Sequence, residues 1–175
     1  KYLEHENTLH FFGTFTLQNE TPLHAITEVF GQLVDHFEKK LVFTDQERVF
    51  LSYFIDGQSD AELIKNLSPQ DLEQNIFQLI RTTLDQLAEE KFAIVMDDIH
   101  WADEASQRLI EFMVPLIPKR KQMWLLIHRP AYTPSFTREL FYHPIKLKAL
   151  DVTQIEAQIK NMMDLKYIAP STLAK

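Results

Sequence analysis

Apolar and polar positions along the chain alternate between two regimes, short continuous apolar runs and longer stretches with helical spacing. Phe92-Ala93-Ile94-Val95-Met96 is uninterrupted, as expected of a strand buried on both faces. Met123 to Ile127 is a second continuous run, and the aromatic, Thr-rich Phe11 to Leu17 reads as a third strand, closed by a turn at Gln18-Asn19-Glu20. Between these runs, Leu23, Ile26, Phe30, Leu33, Val34 and Phe37 recur at helical spacing, with Thr21 as N-cap and Pro22 at the first helical position. Gln46 to Phe54 reads as helix, Asp56 to Ser59 as turn and Asp60 to Asn66 as a short helix. Ser68 and Pro69 open an amphipathic helix through Leu72, Ile76, Leu79, Ile80, Leu84 and Leu87 to about Glu90. Asp103 can cap a helix with a core face of Leu109, Ile110, Met113 and Leu116, and Pro118 to Gln122 forms a polar turn. Beyond it come a helical piece near Glu139 and a strand at Ile145 to Leu147. A last helix is capped by Asp151, with Ile155, Ile159 and Met162 or Met163 inward. Strands separated by helical crossovers make βαβ units and a parallel sheet, hence an α/β fold.

Composition narrows the function. The fractions of apolar (45%) and charged (25%) residues are those of a globular protein, and 175 residues suffice for one domain with a sizeable core. The apolar runs fall far short of the roughly 20 residues of a membrane-spanning helix. With 18 Lys and Arg against 25 Asp and Glu, the net charge of −7 argues against a broad grip on nucleic acid or anionic lipid. The absence of cysteine removes disulfides, thiolate metal sites and thiol nucleophiles together, and suits a reducing compartment. There are three glycines, Gly13, Gly31 and Gly57, and none can build GxGxxG or GxxxxGK, so no glycine-rich phosphate cradle lies in this sequence.

Ligands of open parallel sheets sit beyond the carboxyl ends of the strands. Two strands end there in polar residues: Asp97-Asp98-Ile99-His100-Trp101-Ala102-Asp103 and His128-Arg129-Pro130. Adjacent carboxylates at a strand tip can divide the work of phosphoryl transfer. The first reaches the Mg²⁺ shell and the second orients or deprotonates the attacking water. A cation on the neighbouring strand, here Arg129, can meet the charge that builds on the γ-phosphate. The histidines lack HxxxH or HxH spacing, so His100 reads as a packed residue rather than a metal ligand, and Trp101 as an anchor for the loop. Lys119-Arg120-Lys121 reads as a solvated turn, and Arg129 fits a surface ion pair as well as a phosphate contact.

The stretch Phe92 to Gln107, FAIVMDDIHWADEASQ, resembles the Walker B segment of AAA-like and STAND-type regulatory P-loop ATPases. Members include LuxR/MalT-type regulators, multidomain bacterial kinases and class III adenylyl cyclases. Thr21-Pro22-Leu23, the strand ending His128-Arg129-Pro130 and Ile145-Lys146-Leu147 are similar to further family segments in the same order. The resemblance implies a three-layer P-loop NTPase-like sheet flanked by helices, incomplete because the first strand and phosphate loop are missing. It further implies one partial domain over 1–175, with a strand near 11–17, a helical insert at 21–90, the Walker B strand at 92–97, a sensor-like strand at 123–128 and a lid-proximal segment at 145–163. It implies ATP and Mg²⁺ as ligands, with Asp97 organising Mg²⁺ through water, Asp98 positioning water and Arg129 sensing the γ-phosphate. By the same resemblance the parent is a slow, cytoplasmic ATPase switch with attached output and sensor domains and self-association as a partner mode. This segment alone is expected to be inactive for lack of the Walker A loop, either as a piece of a longer polypeptide or as a domain that lost the loop and serves as a scaffold. No direct nucleic-acid or membrane contact is expected.

Overall fold

The continuous run that begins at Phe92 becomes the middle strand of a three-stranded sheet in the computed structural model, which describes residues 9–17, 21–57 and 61–163. The chain divides into two units, Lys1–Tyr142 and His143–Lys175. In the first, β1 (His10–Thr14), β2 (Phe92–Asp97) and β3 (Gln122–Leu126) pair in that order, all parallel. Phe92 to Met96 are all buried, which is why their pattern does not alternate. This is the α/β sheet flanked by helices that a P-loop NTPase-like fold requires.

Register places the core. Phe11 lies opposite Ile94, and Ile94 opposite Trp124, so these three share a face with Gly13, Met96 and Leu126. Three helices bring their apolar stripes to this face: α1 (His24–Phe37), α4 (Pro69–Gln86) and α5 (Glu104–Met113). Leu33, Leu84, Leu109 and Met113 at its centre are at most 1% exposed. The helices α2 (Asp45–Asp56) and α3 (Glu62–Lys65) complete the segment between α1 and α4. Phe54 of α2 packs edge-on against Phe30 of α1. None of the described helices is long and apolar enough to cross a membrane.

Gly13 is required by this packing. A Cβ there would lie 2.5 Å from the Ala25 carbonyl oxygen and 2.7 Å from Val29 Cγ2, both on α1. We expect Gly13→Ala to push α1 off β1 and cost about 1–3 kcal/mol, the usual range for overpacking. Urea unfolding checks it, and an unchanged midpoint would show that α1 can retreat freely.

Local start signals hold where the cap is local. Thr44 and Glu47 form a reciprocal capping box at α2, and the Thr44 backbone N–H holds the Glu47 carboxyl below its ordinary range. Ser68 accepts the Asp71 N–H at α4, with Pro69 at the first position. The start of α1 corrects the expectation: Thr21 is not its cap and Pro22 lies before the helix. The cap is Leu23, in the left-handed region at φ 63°, with its N–H donated to Asp103 Oδ2 at 3.1 Å. A carboxylate 80 residues away takes over the position that a local threonine was expected to hold.

Further corrections follow along the chain. The Lys119–Lys121 turn is not solvated throughout, because Arg120 is buried and donates to Asp85 through Nη2 and Nε. Gln122 donates to the carbonyls of Leu84 and Leu87, and Lys121 N–H to Ala88 O, so this segment supplies partners for the last carbonyls of α4. The run Met123–Ile127 is half-buried on one side, through Trp124 and Leu126, and open on the other. With β2 as its one neighbour among the described residues, β3 leaves Met123, Leu125 and Ile127 exposed. The other outer strand is closed differently, by the Gln32 amide, which exchanges two hydrogen bonds with the backbone of Phe12. Near Glu139 there are single turns (Glu139 N–H to Phe136 O, Tyr142 N–H to Glu139 O) and no helix.

In the second unit Ile145–Leu147 is not a strand. Both ends are exposed, and no strand pairs with it among the described residues. The helix α6 (Val152–Met163) starts as expected, with Asp151 and Gln154 capping one another. Its apolar stripe is not inward: Ile155 and Met162 are exposed and Ile159 is half-buried. No other helix or strand is described in this unit for the stripe to pack against. The expected turn at 18–20, and residues 58–60 of the turn and short helix around Gly57, lie outside the described residues.

Candidate functional site

The site begins where β2 leaves the sheet. Asp97 is its last residue, and Asp98 takes a left-handed conformation (φ 56°, ψ 38°), which aspartate tolerates better than most residues. The turn is held on both sides. Phe15 N–H donates to Asp97 O, Ile127 N–H to Met96 O, and Ile99 N–H to Ile127 O, each at 2.9–3.0 Å. Within the turn, Asp98 N–H donates to Asp97 Oδ1 at 2.8 Å, and Trp101 N–H to Asp98 O at 2.9 Å. The ends of β1 and β3 therefore fix the backbone that carries both carboxylates.

The two carboxylates differ in surroundings. Asp97 is half-buried and already holds one backbone N–H. The Asp98 side chain is 45% exposed, with Oδ1 3.6 Å from Nδ1 of His100. A short 3₁₀ turn, Ile99–Trp101, buries Ile99 and stacks the His100 ring on Trp101, centroids 4.8 Å apart. The Arg129 guanidinium lies over the Trp101 ring, 5.7 Å from its centroid, a cation–π contact. Asp97, Asp98 and Arg129 thus gather around one turn. Among the described residues Arg129 forms no ion pair with either carboxylate, its place being over the tryptophan.

Behind this turn the chain is anchored by Asp103. Its Oδ1 accepts the Ser106 N–H, which caps α5, and its Oδ2 accepts both the Ser106 hydroxyl and the Leu23 N–H. The cap was legible from Asp103 and Ser106, three residues apart. The bond to Leu23 was not, since no local pattern signals it. On the outer side of α5, Arg108 makes a two-pronged pair with Glu73 of α4 and holds the Glu73 carboxyl below its usual range.

Among the described residues no group of three or more His, Asp or Glu side chains is arranged to hold a metal ion. Mg²⁺ keeps several waters and takes one or two carboxylates plus phosphate oxygens, so a single carboxylate at a strand tip can serve as its protein ligand. A carboxylate with about four acceptor positions, one of them used, leaves Asp97 able to bind such a hydrated ion.

The model for the AAA ATPase domain matches residues 3–127. No curated protein and no solved structure gives a significant match. The matched span contains all three strands, Asp97, Asp98 and the anchoring Asp103, whereas Arg129 lies two residues beyond it. With well over half its length matched, and a parallel sheet that ends in paired carboxylates, the chain belongs to the AAA ATPase domain family, a membership that suggests nucleotide binding.

Proposed function

We propose that this chain is the Walker B core of a STAND-type signal-transduction ATPase that acts as a nucleotide-dependent switch. The observation that carries the reading is the pair Asp97 and Asp98 at the carboxyl end of the central strand, with Asp98 held in a left-handed turn by both neighbouring strands. Asp97, half-buried and partly satisfied by backbone, holds the hydrated magnesium ion. When bound, that ion neutralises charge on the β- and γ-phosphates of ATP. Asp98, whose side chain is 45% exposed, orients the attacking water. Arg129 senses the γ-phosphate by exchanging its contact with Trp101 for one with the phosphate oxygens, a change that the cation–π geometry makes inexpensive. The attached output and sensor domains, self-association and a cytoplasmic setting belong to the same proposal.

On this reading the phosphate-binding lysine and Ser/Thr are supplied from outside the 175 residues, since no GxxxxGK stands among them. The exposed apolar side chains of β3, beside an edge that no described strand occupies, give an added strand a place to dock. The same missing loop favours a second reading, a scaffold domain that has kept the fold and lost the chemistry.

Calorimetry of Mg²⁺·ATP binding separates the two. We expect no binding to the 175-residue chain and clear binding to a natural polypeptide that includes a GxxxxGK[ST] loop. In that longer form Asp97→Ala should raise the Mg²⁺ requirement about tenfold, as loss of an outer-sphere metal partner does. Absence of binding in both forms would leave the scaffold reading standing.

A further inference from the structure

The His100 imidazole is buried without a hydrogen bond. Its side chain is 10% exposed, and neither Nδ1 nor Nε2 has a partner among the described residues. Leaving such groups unsatisfied is costly, and natural folds rarely keep them without a use. A phenylalanine would fill the same place against Trp101 with no such cost. The nitrogens themselves therefore call for an explanation, and the nearest charged group is the Asp98 carboxylate, with Oδ1 3.6 Å from Nδ1.

The two side chains differ in freedom. The ring is fixed by burial and by its contact with Trp101. The Asp98 backbone is fixed through its N–H, its carbonyl and the neighbouring Ile99 N–H. What remains free is the Asp98 side chain, and a movement of under about 1 Å brings its oxygen into hydrogen-bond range of Nδ1. Resting on the reading of Asp98 as the water-orienting carboxylate, we propose that His100 is its positioning residue. With a proton on Nδ1, His100 donates to one oxygen of Asp98, selects one side-chain rotamer and leaves the second oxygen to face the attacking water.

Two measurements test it. On the 175-residue chain, nitrogen-15 spectra of the His100 ring should show the proton on Nδ1. A ring protonated on Nε2 alone would overturn the proposal without reference to activity. In the ATP-hydrolysing natural polypeptide, His100→Phe keeps ring volume and removes both nitrogens. Its melting temperature should equal or exceed the wild-type value, while kcat falls about tenfold and KM for ATP stays within about twofold. His100→Asn, which returns a donor near the position of Nδ1, should recover most of kcat. Full kcat in His100→Phe, or equal losses in both variants, would assign the ring to packing alone and end the proposal. In an Asp98→Asn background His100→Phe should cost nothing more, and an additional loss there would show that His100 acts elsewhere. If Asp98→Asn itself turns over like wild type, the reading of Asp98 fails, and the ring spectra still report whether His100 binds the carboxylate.

Discussion

Asp98→Asn is expected to lower ATP turnover at least a hundredfold while ATP affinity stays within about twofold of wild type. A positioned general base contributes on the order of 10²–10⁴ in rate, and an amide cannot accept the proton of the attacking water. Asn is also the substitution that isolates this effect. It is close in shape to Asp, and both residues enter the left-handed region that the turn imposes (φ 56°). Ala at the same position adds backbone strain, so a loss of activity there would mix chemistry with folding. Single-turnover hydrolysis and calorimetry on one preparation of the polypeptide that carries the phosphate loop give the two numbers. Unchanged turnover would remove Asp98 from the mechanism, whereas loss of binding as well would mean that the carboxylate holds the nucleotide complex itself.

The second large effect is on stability. Asp103→Ala should destabilise the first unit by about 3 kcal/mol, or roughly 10 °C in melting temperature. About 1 kcal/mol is the N-cap of α5, and the remainder comes from the Leu23 N–H and the fully buried Ser106 hydroxyl left without their acceptor. Asp103→Asn refines the account, because Asn caps helices as well as Asp but offers one acceptor oxygen instead of two. It should keep α5 intact and lose mainly the link to α1. Thermal melts of the two variants, with amide exchange at Leu23 and Ser106, distinguish the contributions. Equal stability of Asp103→Ala and wild type would mean that water replaces the carboxylate at no cost. Because Asp103 ends the turn that starts at Asp97, the same residue joins the stability of α1 to the geometry of the carboxylates.

How much of this could be read along the chain depends on the distance over which each contact acts. β2 was legible because burial on both faces leaves a continuous apolar run, and its polar exit marked the site. The caps at Ser68, Asp103 and Asp151 were legible because each bonds a backbone N–H three residues on, whereas the equally local box at Thr44 was missed. The acidic pair and the aromatic turn after it were likewise visible as a string of neighbours, and they pointed to an AAA-like ATPase module, which the family match over residues 3–127 supports.

What the tertiary structure alone decided rests on partners far off in sequence. Leu23, not Thr21, starts α1 because Asp103 reaches it across 80 residues. Arg120 and Gln122, polar by composition, are buried because Asp85 and the end of α4 lie beside them. Met123–Ile127 and Phe92–Met96 are equally apolar, yet only the run with a strand on each side is buried throughout. The segment Ile145–Leu147 has the composition of a strand and, among the described residues, no neighbour to complete its hydrogen bonds. Residue type and spacing determined the three strands, most of the helices and the place of the paired carboxylates at the end of β2. Burial, and with it the unpartnered nitrogens of His100 beside Asp98, belongs to the assembled fold, because a side chain's access to water is set by what packs over it and not by its neighbours in the chain.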